Sequence, residues 1–194
     1  MREHVYTGVL SLSAPRVDSP FVASLDWCPE ASYGSSVTPS TPPWTRVKSE
    51  FTNDGTVRDI YVRGATRAVW DVVLKFVAER YPKLAFTAGG RAAPLPTAAV
   101  EVFGLWDAAP LIELDVDGLT ILCHFFSTEE IEFNIWPQDV DSEARFGALI
   151  QFLRDLATAT GMEAIVTPES YPQSVILSVE PATLNVSYHP PPDT

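Results

Sequence analysis

The chain has 194 residues, of which 13 are basic and 25 are acidic, so its formal net charge is −12. Its 46% of hydrophobic and 20% of charged residues are typical of a folded soluble domain and exclude a disordered chain. No stretch approaches the roughly 20 apolar residues of a membrane-spanning helix. The N-terminus also lacks the apolar core of a secretion signal, which indicates a cytoplasmic protein without a membrane partner.

The acidic residues are concentrated in the second half of the chain. Residues 101–194 hold sixteen acidic and only two basic side chains, Arg145 and Arg154, and no Lys or Arg lies between Glu101 and Glu143. Such a field repels phosphate backbones, so this half is not expected to bind nucleic acid. It favours a basic protein partner or a cation, although acidity of this kind also serves simply to keep a protein soluble.

The first fifty residues have the weakest pattern. Residues 5–12 and 21–27 are candidate short strands, and the Ser, Thr, Gly and Pro of residues 31–44 indicate a linker or a surface loop. We therefore predict an N-terminal segment of strand and loop over residues 1–50, packed on or linked to a main domain over residues 51–194.

The main domain opens with a predicted strand over residues 57–62 and a helix over residues 67–80. Thr66 can cap this helix, in which apolar residues recur every three or four positions. A strand over residues 84–87 follows.

Two glycines, Gly89 and Gly90, end that strand. The pair lacks the spacing of a dinucleotide-binding motif, so no phosphate site is predicted there. Thr97 then can cap a short helix that reaches Leu105.

The best-defined stretch is a run of three strands. Residues 111–116 alternate between apolar and polar side chains, Asp117-Gly118 favours a two-residue turn, and residues 119–126 return along the first strand. The turn fixes three apolar cross-strand pairs, which are Val116 with Leu119, Leu114 with Ile121 and Ile112 with Cys123. The third strand covers residues 130–136, and the three apolar sets predict one face that belongs to the core.

The other face of these strands combines carboxylates, one histidine and aromatic rings. Its candidate partner-binding residues are Glu113, Asp115, His124, Phe126, Glu130, Glu132 and Trp136. Rings of this kind supply buried area in an interface, and the carboxylates steer a basic partner. The face is predicted to be open unless the first fifty residues, with Trp27 or Trp44, cover it. Its charge must also escape neutralisation by the arginines of the same chain, which are Arg58, Arg63 and Arg67.

A long helix is predicted over residues 142–160. Either Asp139 or Asp141 can cap it, and Gly161 suits a left-handed residue at its C-terminus. Two strands over residues 163–167 and 175–179 follow it, and the proline-rich tail is predicted to be extended or frayed. This order of elements predicts an α+β fold, in which a largely antiparallel mixed sheet carries two main helices on one face.

Two metal hypotheses concern the central strands. The run Glu113-Leu-Asp115-Val-Asp117-Gly118 has the opening of an EF-hand loop, but His124 stands at its twelfth position, where calcium requires a bidentate carboxylate. No metal site and no cofactor is therefore predicted. The alternative is a small metal-dependent or acid–base enzyme that uses four of the face residues, namely Glu113, Asp115, His124 and Glu132.

Nucleophilic catalysis has no support from sequence motifs. Cys123 is predicted to face the core, and with Cys28 it forms either one disulfide or two reduced thiols. An adaptor or structural module of a bacterial assembly is a further alternative.

The acidic strands ELDVDG (residues 113–118) and EIEF (residues 130–133), in a small α/β chain without a catalytic motif, carry a family resemblance. Over residues 51–181 the chain resembles the immunity proteins of bacterial polymorphic toxin systems. The resemblance implies a non-enzymatic cytoplasmic inhibitor that binds a cognate basic toxin and occludes its active site. Its acidic residues would pair with Lys and Arg of the toxin.

Overall fold

The computed structural model describes residues 38–191, which belong to one compact unit. The strands predicted over residues 5–12 and 21–27, as well as Trp27 and Cys28, lie outside the described residues. No helix within this part of the chain is both long enough and apolar enough to cross a membrane.

Within residues 38–191, nine strands form a single sheet. In chain order they are β1 (Arg58–Arg63), β2 (Ala85–Ala88), β3 (Arg91–Ala92), β4 (Leu111–Val116), β5 (Leu119–His124), β6 (Glu130–Ile135), β7 (Ala164–Pro168), β8 (Leu177–Val179) and β9 (Val186–Tyr188). Their order across the sheet is β3-β2-β4-β5-β6-β1-β7-β8-β9, and every pairing is antiparallel. The predicted α+β class with a largely antiparallel sheet is confirmed.

Two long helices cover one face of this sheet. The α-helices are α1 (Trp44–Val47), α2 (Arg67–Arg80), α3 (Ala99–Phe103) and α4 (Glu143–Thr160), and short 3-10 helices span Lys48–Phe51, Trp106–Ala108 and Pro137–Asp139. Phe152 of α4 packs edge-on against Phe133 of β6, with the ring centroids 5.2 Å apart. Trp70 of α2 is fully buried and lies 4.9 Å from the ring of Phe125. The core therefore lies between the sheet and these helices.

The central hairpin has the predicted register. Val116 pairs with Leu119, Leu114 with Ile121 and Ile112 with Cys123, and all six side chains are buried. The turn places Asp117 at φ 50° and Gly118 at φ 85°, the positive values that such a two-residue turn requires. Cys123 is a buried free thiol, as its position in the alternation predicted.

Both predicted caps of the later helices are wrong. Ser142 caps α4, since its hydroxyl accepts a hydrogen bond from the amide of Arg145 at 3.3 Å, and Asp139 lies in a preceding 3-10 turn. Helix α3 starts after Ala98 and not after Thr97. Its first amide, that of Ala99, donates to the carboxylate of Asp71 on α2 at 2.6 Å, so a residue from another helix replaces the local cap.

The described end of the predicted N-terminal segment packs with the main domain. Trp44 contacts Phe51 and Phe146 on the helix side of the sheet, with centroid distances of 6.1 and 5.5 Å. Arg154 of α4 holds the preceding residues through their backbone, because its guanidinium donates to the carbonyls of Pro39 and Ser40 at 3.2 and 3.1 Å.

The tail is more ordered than predicted. Val186–Tyr188 forms the edge strand β9, and the amide of Val186 donates to the carbonyl of Ser40 at 2.9 Å. Residues near the two ends of the described chain therefore meet at this edge of the sheet.

Candidate functional site

We call the side of β4, β5, β6 and β1 that points away from the helices the acidic face. Alternate residues of these strands are buried in the core, so the intervening ones share this second face. Its polar and charged members are Glu113, Asp115, Thr120, His124, Glu130, Glu132, Asn134, Asp59, Tyr61 and Arg63. The structure thus places all five predicted carboxylate and histidine positions on one side of the sheet.

The five positions differ in exposure and in contacts. Glu113 and Asp115 are exposed, whereas His124, Glu130 and Glu132 are half-buried. Asp115 also has a structural role, because its carboxylate accepts the amide hydrogen of Gly118 in the hairpin turn at 2.9 Å.

The two predicted aromatic residues flank the acidic face and do not meet. Phe126, which is 60% exposed, follows β5 and stacks on His124 with centroids 5.0 Å apart. Trp136, which is 44% exposed, follows the opposite end of the face, where Ile135 pairs with Ile121. His124, on which Phe126 stacks, lies four residues along β5 from the level of Trp136, so at about 3.3 Å per strand residue the two rings are about 13 Å apart along the strands. A partner must therefore span the face in order to reach both.

A third exposed ring escaped the sequence analysis. Trp106, 50% exposed, borders a surface cleft of about 310 Å³ together with Leu111, His124 and Phe126. In the sequence it marks only the end of a short helix. Its proximity to these three residues follows from the packing of the segment after α3 beside the start of β4, which the sequence pattern does not predict.

Asp59 and Tyr61 of β1 also escaped the sequence analysis. Tyr61 pairs with Glu132 across the sheet, and Asp59 pairs with Asn134. The loop over residues 169–175 covers both of them, leaving Asp59 only 3% exposed. The carboxylate of Asp59 accepts hydrogen bonds from the Tyr61 hydroxyl at 3.0 Å and from the Ser170 amide at 2.8 Å.

Among residues 38–191, Arg58, Arg63 and Arg67 form no ion pair with a carboxylate of the acidic face. Arg58 lies on the helix side of β1, where its ion pair with Asp54 at 2.9 Å holds the pKa of that carboxyl well below its usual range. Arg63 donates to the carbonyl of Pro172. The ion pairs among residues 38–191 join Arg58 to Asp54, Lys75 to Glu79 and Arg80 to Asp155, and none involves a carboxylate of the acidic face.

The two basic residues of the acidic half bind backbone oxygens. Arg145 donates to the carbonyl of Gly118 in the hairpin turn. Arg154 donates to the carbonyl of Leu184 at 3.0 Å, besides its contacts to residues 39 and 40. Both guanidiniums thus donate to backbone oxygens, and neither forms an ion pair with a carboxylate of the acidic face.

Glu132 has a perturbed environment on the acidic face. Burial, reinforced by the charges of Asp59 and Glu130, raises its pKa to about 7. Burial also lowers the pKa of His124. The Asn134 amide nitrogen lies 2.9 Å from His124 Nε2, where it can donate to a neutral ring. Because the folded-state pKa of Glu132 lies above its ordinary value, its contribution to stability is present below that value and is lost as pH rises through 7.

The structure does not assemble the predicted metal or acid–base quartet. Glu113 pairs with Leu122, Asp115 pairs with Thr120, and only His124 and Glu132 are cross-strand neighbours. Within residues 38–191 no group of three or more potential ligands could hold a metal ion. The pair formed by His124 and Glu132 could exchange a proton, and acid–base chemistry at this pair stays a prediction.

Comparisons with protein-family models, with curated proteins and with solved structures gave no match to this chain.

Proposed function

We propose that the chain is a non-enzymatic cytoplasmic inhibitor of the immunity-protein type, which binds a basic toxin through the acidic face and occludes its active site. One observation carries the proposal. Glu113, Glu130 and Glu132 project from one side of the sheet, and none of the ion pairs among the described residues involves them. Arg63, the cross-strand neighbour of Glu130, donates to the carbonyl of Pro172 instead.

The charge pattern favours a basic protein as the partner. Carboxylates held on adjacent strands add their potentials, which accelerates the encounter with a positive surface and orients it. A toxin that acts on nucleic acid would present such a surface, since it must attract phosphates. The acidic face would then occupy the position of the substrate.

The exposed aromatic rings supply apolar contact area, which the carboxylates do not. Phe126 is supported by its stack on His124 and is therefore presented in a fixed orientation, and Trp106 lies across the adjoining cleft. Large, held aromatic side chains are frequent interface hot spots, and the surrounding charges exclude wrong partners. Together these rings and carboxylates fit a protein partner better than a small molecule.

The test is complex formation with the product of the adjacent gene, the position in which the partner of an immunity protein is expected. We expect a complex whose dissociation constant rises at least tenfold between about 50 mM and about 500 mM salt, because screening removes the attraction between exposed charges. The measurement is calorimetric titration of the purified proteins. A complex that is indifferent to salt, or no complex at all, would contradict the proposal.

A further inference from the structure

Glu132 occupies a distinctive position on the acidic face. It lies in the middle of β6, with Tyr61 of β1 on one side and His124 of β5 on the other. Asp59 is its diagonal neighbour, since Asp59 pairs with Asn134 two residues further along β6. Glu132 is half-buried, so water solvates its charge only in part.

Titratable and charged groups of three strands surround Glu132. They are Asp59, Tyr61 and Arg63 on β1, His124 on β5 and Glu130 on β6, and the charges of Asp59 and Glu130 disfavour a negative charge on Glu132. The carboxylate of Asp59 accepts hydrogen bonds from the Tyr61 hydroxyl and the Ser170 amide, which fix its position. Arg63, the one cation in this set, donates to the Pro172 carbonyl.

The neighbouring histidine supplies no compensating charge. Its Nε2 lies 2.9 Å from the Asn134 amide nitrogen, and an amide N–H there requires a ring nitrogen without a proton. Glu132 is thus a partly desolvated carboxylate close to two like charges, and none of the ion pairs among residues 38–191 involves it. Its diagonal neighbour Arg63 donates to the Pro172 carbonyl instead.

We propose that Glu132 is a proton-operated switch of the acidic face, which favours the basic partner when it is ionised and weakens binding when it takes up a proton near neutral pH. The inference rests on the proposed function and specifies its regulation. A partner cation placed beside Glu132 would stabilise the ionised form, so binding and proton release are linked.

The size of the effect follows from this linkage. With a pKa of about 7 in the free protein and an ordinary glutamate value in the complex, affinity should rise about tenfold between about pH 6 and about pH 8. Above that range the affinity should level off, since Glu132 is then ionised in both states.

The first arm of the test needs no partner. Carbon-13 NMR of the full chain follows the side-chain carboxyl of Glu132 through a pH titration, with Glu132→Gln to assign the signal. We expect a midpoint near 7. A midpoint below about 5, the ordinary range of a glutamate, would overturn the switch whatever the partner does.

The second arm measures binding of an oligo-arginine peptide at pH 6 and pH 8. We expect the tenfold change in the wild type and in Glu113→Gln, and its loss in Glu132→Gln. A tenfold change that disappears in His124→Gln but persists in Glu132→Gln would overturn the assignment to Glu132. Equal binding at both pH values would overturn the switch and leave the proposed function standing. Absence of binding at both pH 6 and pH 8 would overturn the switch and the proposed function.

Discussion

Removing the negative charge of the acidic face should abolish binding to the basic partner and leave the fold intact. The variant combines Glu113→Lys and Glu130→Lys with Glu132→Gln and Asp115→Asn. Glutamine is isosteric with the half-buried Glu132, and asparagine at position 115 keeps a side-chain acceptor for the Gly118 amide in the hairpin turn. Because interfacial charge pairs typically cost 2 kcal/mol or more when one partner is lost, affinity should fall at least about 100-fold.

A matched variant separates local charge from net charge. Glu79→Lys, Glu101→Lys and Glu143→Lys change the total charge by the same amount at exposed positions of α2, α3 and α4. This control should retain affinity to within about threefold, since its substitutions lie outside the acidic face. Equal losses in the two variants would show that only overall charge matters and would contradict a defined binding face.

Trp70→Ala should produce the largest loss of stability of any single substitution on α2. The indole is fully buried between Phe103 and Phe125, with centroid distances of 5.5 and 4.9 Å, and its Nε1 donates to the Ser127 carbonyl at 3.1 Å. Removal of such a ring typically costs about 3 to 5 kcal/mol, a large fraction of the stability of a small domain. Urea denaturation measures the change in the free energy of unfolding.

Trp70→Ala should also change the position of Phe126 at the acidic face. Ser127 and Phe125 flank Phe126, so the ring that stacks on His124 is positioned in part from beneath by α2. Trp70→Phe keeps an aromatic ring but loses the hydrogen bond and should cost less than Trp70→Ala. A loss below about 1 kcal/mol in Trp70→Ala would contradict the role assigned to this ring.

Local signals were sufficient for the central hairpin. Asp117-Gly118 is a turn dipeptide, and strict alternation on both sides leaves one register that buries every apolar residue. The same argument placed Cys123 in the core and Glu113, His124 and Glu132 together on the other face. These inferences needed only neighbours along the chain and the two-residue period of a strand.

Non-local contacts explain what the sequence analysis missed. Asp59 and Tyr61 belong to the acidic face because β1 lies between β6 and β7 in the sheet. Neither the residue pattern of β1 nor its length predicts this position. The loop over residues 169–175 then crosses to cover them, held by the Ser170 amide and the Pro172 carbonyl. Asp71 likewise replaces a local cap of α3 from another helix.

Non-local contacts also determine how far apart the exposed aromatic residues lie, which the sequence analysis did not predict. Alternation placed Phe126 and Trp136 near the ends of two neighbouring strands, but the distance between the two rings depends on the register of those strands. Since Ile135 pairs with Ile121, Trp136 lies at the hairpin-turn end of the face and Phe126 at the other end. Trp106 joins Phe126 only through the packing of a segment whose own pattern is short.

The most direct test of the central claim is to map the surface that the partner covers. Backbone amide NMR of the labelled full chain, titrated with the product of the adjacent gene, reports the residues whose surroundings change. We predict the strongest changes on β4, β5 and β6 around Glu113, His124, Phe126 and Glu132, with little change on the outer surface of α2 around Val72. Changes centred on that outer helix surface, with the acidic strands unaffected, would contradict the account.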